Sequence, residues 1–229
     1  MARRSRSSWS RSRRVYDSER PHHDEAGRRG VQSPRDDLIT RLCTAEVDGE
    51  RLDDDELVRF CQLLLAAGTE TTTNLIDNAV LSLIEHPEAL ARLRSHPELM
   101  ADMLEEVLRF RTPVQSMFRA TRTDIDLGGI RLPAGAFRPR LDRSRQPRSG
   151  PVSRTRRIRY HAQSNPHVAF GHGIHFCLGA PLSRLEARIA LSDLLSRFAR
   201  FELAAPSWPP RAAFHVHGPA SLPLRFEPA

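Results

Sequence analysis

Cys177 is the residue of this sequence whose type and setting are best suited to holding a metal. It stands in Phe170-Gly171-His172-Gly173-Ile174-His175-Phe176-Cys177-Leu178-Gly179-Ala180, a glycine-rich loop flanked by aromatic residues. After it, Leu182, Leu185, Ile189, Leu194 and Phe198 recur at helical spacing, which predicts a helix over 182–198 with these residues on its apolar face. The sulfur then sits at a helix N-terminus, where orphan N–H groups and the helix dipole favour a thiolate. Gly173 and Gly179 let the backbone pass close to a flat ligand. Two blander readings compete: a cysteine beside a helix is most often a small core residue, and His172, His175 and Cys177 invite a zinc cluster. Zinc normally takes a second ligand pair at its own short spacing, and Cys43 and Cys61 form no such pair.

A second group that could do chemistry is Ala66-Ala67-Gly68-Thr69-Glu70-Thr71-Thr72-Thr73. A glycine and a run of β-branched threonines are poor choices for a helix interior. Yet the segment lies inside a long helical pattern that starts at the capping box Asp53-x-x-Glu56 and runs through Leu57, Cys61, Leu64, Leu65, Gly68, Thr72, Leu75 and Ala79 towards Glu85. One account is close helix packing at Gly68, with threonines bonding to the preceding turn. A third group is Glu106 and Arg109, three apart on one helix face; most such pairs are surface ion pairs of small value.

The elements that must position these groups are mostly helical. A helix is expected over 36–42, a turn at Val47-Asp48-Gly49-Glu50, the long helix to Glu85, and further helices over 87–95 and 97–110, each opened by a proline. Ile125 to Leu132 reads as two short strands about a Gly-Gly turn. Beyond Pro133-Ala134-Gly135 a strand is due, but residues 137–163 show neither a strand nor a helix period, so none is expected there. Phe201-Glu202-Leu203 and Phe214-His215-Val216-His217 read as terminal strands, with Leu222 to Phe226 as their partner.

Together the pattern Phe170, Gly173, Cys177 and Gly179, the Gly68-x-Glu70-Thr71 segment, the Glu106-x-x-Arg109 pair and Phe118-Arg119 resemble, in order, the motifs of the cytochrome P-450 (haem-thiolate monooxygenase) family of bacterial type. The resemblance covers 33–136 and 164–229. It implies a mainly α fold with small β-sheets, the C-terminal haem-binding half of the cytochrome P-450 fold. It implies that Cys177 is the axial thiolate of a haem iron, with Phe170, Gly173, His175 and Gly179 around the cofactor. Gly68 would border the haem groove, and Glu70 and Thr71 would deliver protons to bound oxygen. Arg119 would meet a haem propionate, as would His175, and Glu106 and Arg109 would lock the core. The reaction implied is insertion of one atom of O₂ into a small organic substrate, with electrons from NAD(P)H through a ferredoxin or flavoprotein reductase.

At 229 residues the chain is short for a whole enzyme of this family, so a truncated partial domain over 33–229 is expected, and a truncated domain need not be active. The rivals are a haem-binding remnant without catalysis and a basic nucleic-acid-binding protein. The net charge of +7 is local: residues 1–30 hold nine Arg against four acids, and residues 137–163 nine Arg against one. No aromatic platform accompanies these arginines, which weighs against nucleic acid. Residues 1–32 read as a disordered or out-of-frame basic segment. Residues 137–163 read as an aberrant Arg-rich insert, in the wrong frame, replacing a strand and meander. With three cysteines, no apolar run that could span a bilayer and no signal-peptide core, a cytoplasmic location and no membrane partner are expected.

Overall fold

The computed structural model describes residues 34–141, 167–210 and 215–229. The segment 1–32 and most of 137–163 lie outside the described residues. The chain forms two compact units, 1–67 and 68–229.

In the first unit, helix α1 (Leu38–Thr44) is opened by Asp37, whose Oδ1 accepts the Thr40 N–H at 2.8 Å. That bond holds the Asp37 carboxyl below the usual carboxylate range. Val47 and Glu50 then exchange backbone hydrogen bonds across Asp48 and Gly49, both at positive φ. The next helix, α2 (Asp54–Glu85), opens on the expected capping box. The Glu56 N–H donates to Asp53 Oδ1 at 2.8 Å, and the Asp53 N–H donates to Glu56 Oε2 at 3.1 Å.

In the second unit the part of α2 from Gly68 onward is joined by α3 (Pro87–Ser95), α4 (Met100–Phe110) and α5 (Ala180–Arg197). The helix expected over 97–110 is divided: Pro97–Leu99 is one 3₁₀ turn, and the α-helix begins at Met100. Leu75, Ala79 and Leu83 from α2 meet Leu104, Val107 and Leu108 from α4 and Ala187 and Leu191 from α5 in one apolar core. Asn78, buried in α2, donates from Nδ2 to the carbonyls of Arg111 and His217, both at 3.0 Å, satisfying two chain segments without secondary structure. Arg94 of α3 closes the C-terminal end of α5, donating to the carbonyls of Leu195 at 3.0 Å and Phe198 at 2.6 Å.

Among the described residues three two-stranded antiparallel sheets accompany the helices. Strands β2 (Ile125–Leu127) and β3 (Ile130–Leu132) form the expected hairpin about Gly128 and Gly129, both at positive φ as a tight hairpin turn requires. Strand β4 (Phe137–Leu141) forms where none was expected and pairs with β1 (Ser116–Ala120). Its Pro139 breaks the sequence pattern but is tolerated in a two-stranded sheet, where one edge needs no donor. The Phe118 and Phe137 rings stack at 4.9 Å, and the Thr121 N–H reaches the Ala136 carbonyl at 3.1 Å. Strand β5 (Phe198–Leu203) pairs with β6 (Leu224–Pro228), whereas 215–217 does not join them. Instead the Gln115 N–H donates to the His215 carbonyl at 2.8 Å and the His217 N–H to the Pro113 carbonyl at 2.7 Å.

The predicted apolar face of α5 also needs correction. The helix buries Ala180, Ala187 and Leu191, while Leu182, Leu185 and Ile189 are exposed, Ile189 at 59%. The buried stripe runs through Ala180, Ala187 and Leu191, and of the predicted face Leu194 packs against the core.

Candidate functional site

Cys177 stands just before α5, and its loop is built by short-range hydrogen bonds. The Phe176 N–H closes a 3₁₀ turn (Gly173–His175) on the Gly173 carbonyl at 3.0 Å, and the Ala180 N–H reaches the Cys177 carbonyl at 3.3 Å. The Cys177 N–H donates back to the Phe170 carbonyl at 2.9 Å, so Phe170 and Cys177 are joined directly. Gly171 and Gly173 both hold positive φ, which lets the loop double back on itself. Gly179 has ordinary φ; a Cβ there would stand 3.9 Å from the Cys177 sulfur, in the space beside it. Cys177 is exposed, in an apolar skirt of Ile174 (97% exposed), Phe176 and Leu178 (79%). Among the described residues no group of three or more His, Cys, Asp and Glu could hold a metal ion.

The threonine run lies against the same helix. Thr72, buried and next to Thr71 in the chain, donates from Oγ1 to Ser183 Oγ in the first turn of α5 at 3.2 Å. Thr73 bonds back to the Thr69 carbonyl at 2.8 Å, as expected of a threonine inside a helix. Close packing at Gly68 is not found: Gly68 is exposed, and a Cβ there would meet nothing within 4 Å. Glu70 is exposed and Thr71 half-buried.

Glu106 and Arg109 form a bidentate pair, both bonds at 2.7 Å, with the Glu106 side chain fully buried. Both also interact beyond that pair. This is a core ion pair, the reading opposite to an exposed one of small value. Arg119, on β1, is exposed and turns back to the Phe118 carbonyl at 2.8 Å; no hydrogen bond joins it to the Cys177 loop. His175 is exposed in the 3₁₀ turn.

Three residues that the motifs did not single out support the loop from behind. Arg184 of α5 makes a bidentate pair with Glu105 of α4 at 2.6 and 2.9 Å, and His167 Nε2 meets the same carboxylate at 2.9 Å. The Arg184 guanidinium lies 4.5 Å from the centre of the Phe170 ring. Burial would raise the Glu105 pKa; Arg184 and then His167 outweigh it and hold the carboxyl down at about 2. The Arg184 pKa is raised in turn by its bonds to Glu105. A signal for Arg184 exists in the sequence: it falls on the stripe Ala180, Ala187, Leu191, where an arginine must find a partner.

A helical chain with small antiparallel sheets, a cysteine loop entering a helix and a buried Glu-x-x-Arg pair defines a class before any comparison is made. The Cytochrome P450 family model matches residues 11–137 and 154–211, and the chain belongs to that family. It is 47% identical over 169 residues to the Putative cytochrome P450 YjiB of Bacillus subtilis, covering 74% of this chain and 43% of that protein. Against the Cyclomarin C epoxidase CymV of Salinispora arenicola the identity is 42%, covering 87% of this chain and 50% of the relative. The solved structure of Cytochrome P450 CYP109Q5 from Chondromyces apiculatus superposes with a TM-score of 0.86 at 38% identity, over 94% of this chain and 56% of that one. The chain thus spans about half the length of the curated relatives it matches.

Family membership implies a haem-thiolate cofactor, and the residues present fit one. The sulfur is uncovered, Gly179 keeps a side chain away from it, and the surrounding skirt is apolar, as a flat macrocycle requires.

Proposed function

We propose that the chain carries the haem-binding half of a monooxygenase that inserts one oxygen atom of O₂ into a small organic substrate. The observation that carries this reading is the exposed Cys177 sulfur, held by its own N–H bond to Phe170 at the entry of α5 and left clear by Gly179. Cys177 is the residue that would hold the haem iron, through its thiolate. When bound, haem supplies the oxygen chemistry, to which a strongly donating thiolate lends electron density.

The protein's own part is binding, orientation and proton supply. Gly173 and Gly179 keep the backbone side of the ligand free of side chains, and Gly68 does the same on α2. Glu70 and Thr71 would hold and pass protons, the Glu70 carboxyl taking them up and giving them on and the Thr71 alcohol relaying them. Arg119 and His175 neutralise propionates by charge-assisted hydrogen bonds, for which the planar guanidinium is suited. Glu106 and Arg109 keep α4 rigid beneath the loop. Electrons come from NAD(P)H through a ferredoxin or flavoprotein reductase. No helix among the described residues is long and apolar enough to cross a membrane.

The test is haem reconstitution, in a chain extended to the length of its relatives, of the parent and of its Thr71→Ala variant. Thr71→Ala should keep the haem spectrum and release more peroxide per electron consumed. Equal coupling of electrons to product in both proteins contradicts the assignment of Thr71.

A further inference from the structure

Two adjacent carboxylates on α4 do different work. Glu106 is fully buried and committed to Arg109. Glu105 points to the Cys177 loop, where its two oxygens take Arg184 Nε at 2.6 Å, Arg184 Nη2 at 2.9 Å and His167 Nε2 at 2.9 Å. Consecutive helix positions differ by about 100° in direction, so one helix can serve both sites.

Each partner of Glu105 reaches the start of the loop. The Arg184 guanidinium carbon lies over the Phe170 ring, 4.5 Å from its centre, and the His167 ring is 6.2 Å from it, tilted at 50°. His167 Nδ1 accepts the Ala169 N–H at 3.2 Å, which leaves Nε2 to carry the proton donated to Glu105. Phe170 is thus held on its ring by two side chains that share one carboxylate. Its carbonyl in turn holds the Cys177 N–H at 2.9 Å.

We infer that Glu105 is a positioning residue for the thiolate: through Arg184 and His167 it fixes Phe170, and through the Phe170 carbonyl it fixes the backbone of Cys177. The inference rests on the reading of Cys177 as the haem ligand for its functional meaning, but its geometry stands without it. Arginine is required because it supplies both a fork matched to the carboxylate and a flat face for the ring; lysine offers the charge without either. An ion pair whose only task was stability would not need to meet the one aromatic ring whose carbonyl binds the cysteine.

The test is amide hydrogen exchange on the chain without haem, in the parent and in Arg184→Lys, Glu105→Gln and Glu105→Ala. Arg184→Lys is the mildest, since the side chain is part-exposed and the charge is kept. The Cys177 amide should exchange at least about fivefold faster in Arg184→Lys and faster still in Glu105→Ala, while the amides of Val107 and Leu191 in the core keep their protection. Glu105→Gln, which keeps the shape, should fall between parent and Glu105→Ala. Unchanged exchange at Cys177 in folded Arg184→Lys and Glu105→Ala overturns the inference. So does a uniform loss of protection at Cys177, Val107 and Leu191, which assigns the pair to overall stability. Cys177→Ser separates the two readings: it removes the ligand and leaves the clamp, so it should abolish thiolate ligation and leave exchange at position 177 slow. If the parent takes up no haem through Cys177, the proposed function fails while the exchange result still decides the role of Glu105.

Discussion

Glu105 shows how a single side chain outside every motif can matter to the one that defines the site. Its folded pKa of about 2 lies below the ordinary 4.5, so the stabilisation it gives is fully present above pH 4.5 and is lost as pH falls towards 2. Glu105→Gln should therefore cost on the order of 2 kcal/mol at neutral pH, the range for hydrogen bonds to charged groups. Urea unfolding of parent and variant should show that difference shrinking as the pH is lowered through this window. A constant difference would mean that the charge on Glu105 is not what stabilises the fold. Glu106 is the stronger case, because its side chain is fully buried and takes both bonds of the Arg109 fork at 2.7 Å. Glu106→Gln should destabilise by roughly 3–5 kcal/mol, as breaking a buried pair from one side does, and thermal melting would detect it at once. Of these residues the sequence displayed Glu106 and Arg109 through their spacing. It could not show that Glu105 faces the other way, since that depends on where Arg184 and His167 arrive from elsewhere in the chain.

At the scale of elements, local signals were read correctly where the chemistry is local. The capping box at Asp53 and Glu56, the proline openings of α3 and of the 3₁₀ turn before α4, and the Gly128-Gly129 hairpin each depend on residues a few positions apart. Strand β4 was missed because its pairing partner, β1, supplies the order that the Arg- and Pro-rich segment lacks. The face of α5 was misjudged for a related reason: hydrophobic periodicity found the larger side chains, whereas the buried stripe runs through Ala180, Ala187 and Leu191. Residues 215–217 likewise went to Val114 and its neighbours instead of the terminal strands. That contact has a tight point at Gly218, where a Cβ would collide with the side-chain amide of buried Asn74. Gly218→Ala should lower stability by roughly 1–3 kcal/mol, the usual cost of overpacking. A melting temperature equal to the parent's would show that Asn74 can move aside.

At the scale of the whole molecule, the described residues combine a well-made core with exposed apolar side chains. Leu178, Leu182, Leu185 and Ile189 are exposed on and beside α5, together with Ile174 and Phe176 of the loop. Contiguous apolar surface of this kind favours association, and the chain spans about half the length of its curated relatives. The chain by itself is therefore expected to self-associate and to hold haem weakly. Replacing Leu185 and Ile189 together by Gln should reduce self-association in sedimentation without lowering the unfolding midpoint, because neither side chain belongs to the core. A lowered midpoint would instead place that face inside the folded structure.

The central claim is that Cys177 ligates haem iron as a thiolate, and an absorption spectrum tests it most directly. The purified chain, mixed with excess haem, is reduced and exposed to carbon monoxide, alongside Cys177→Ser. Serine preserves the size of the side chain and the position is exposed, so α5 should stay folded and the two proteins should have the same circular dichroism. The account predicts the absorption band characteristic of thiolate-ligated haem in the parent and its absence from Cys177→Ser. Identical spectra from the two proteins would contradict it.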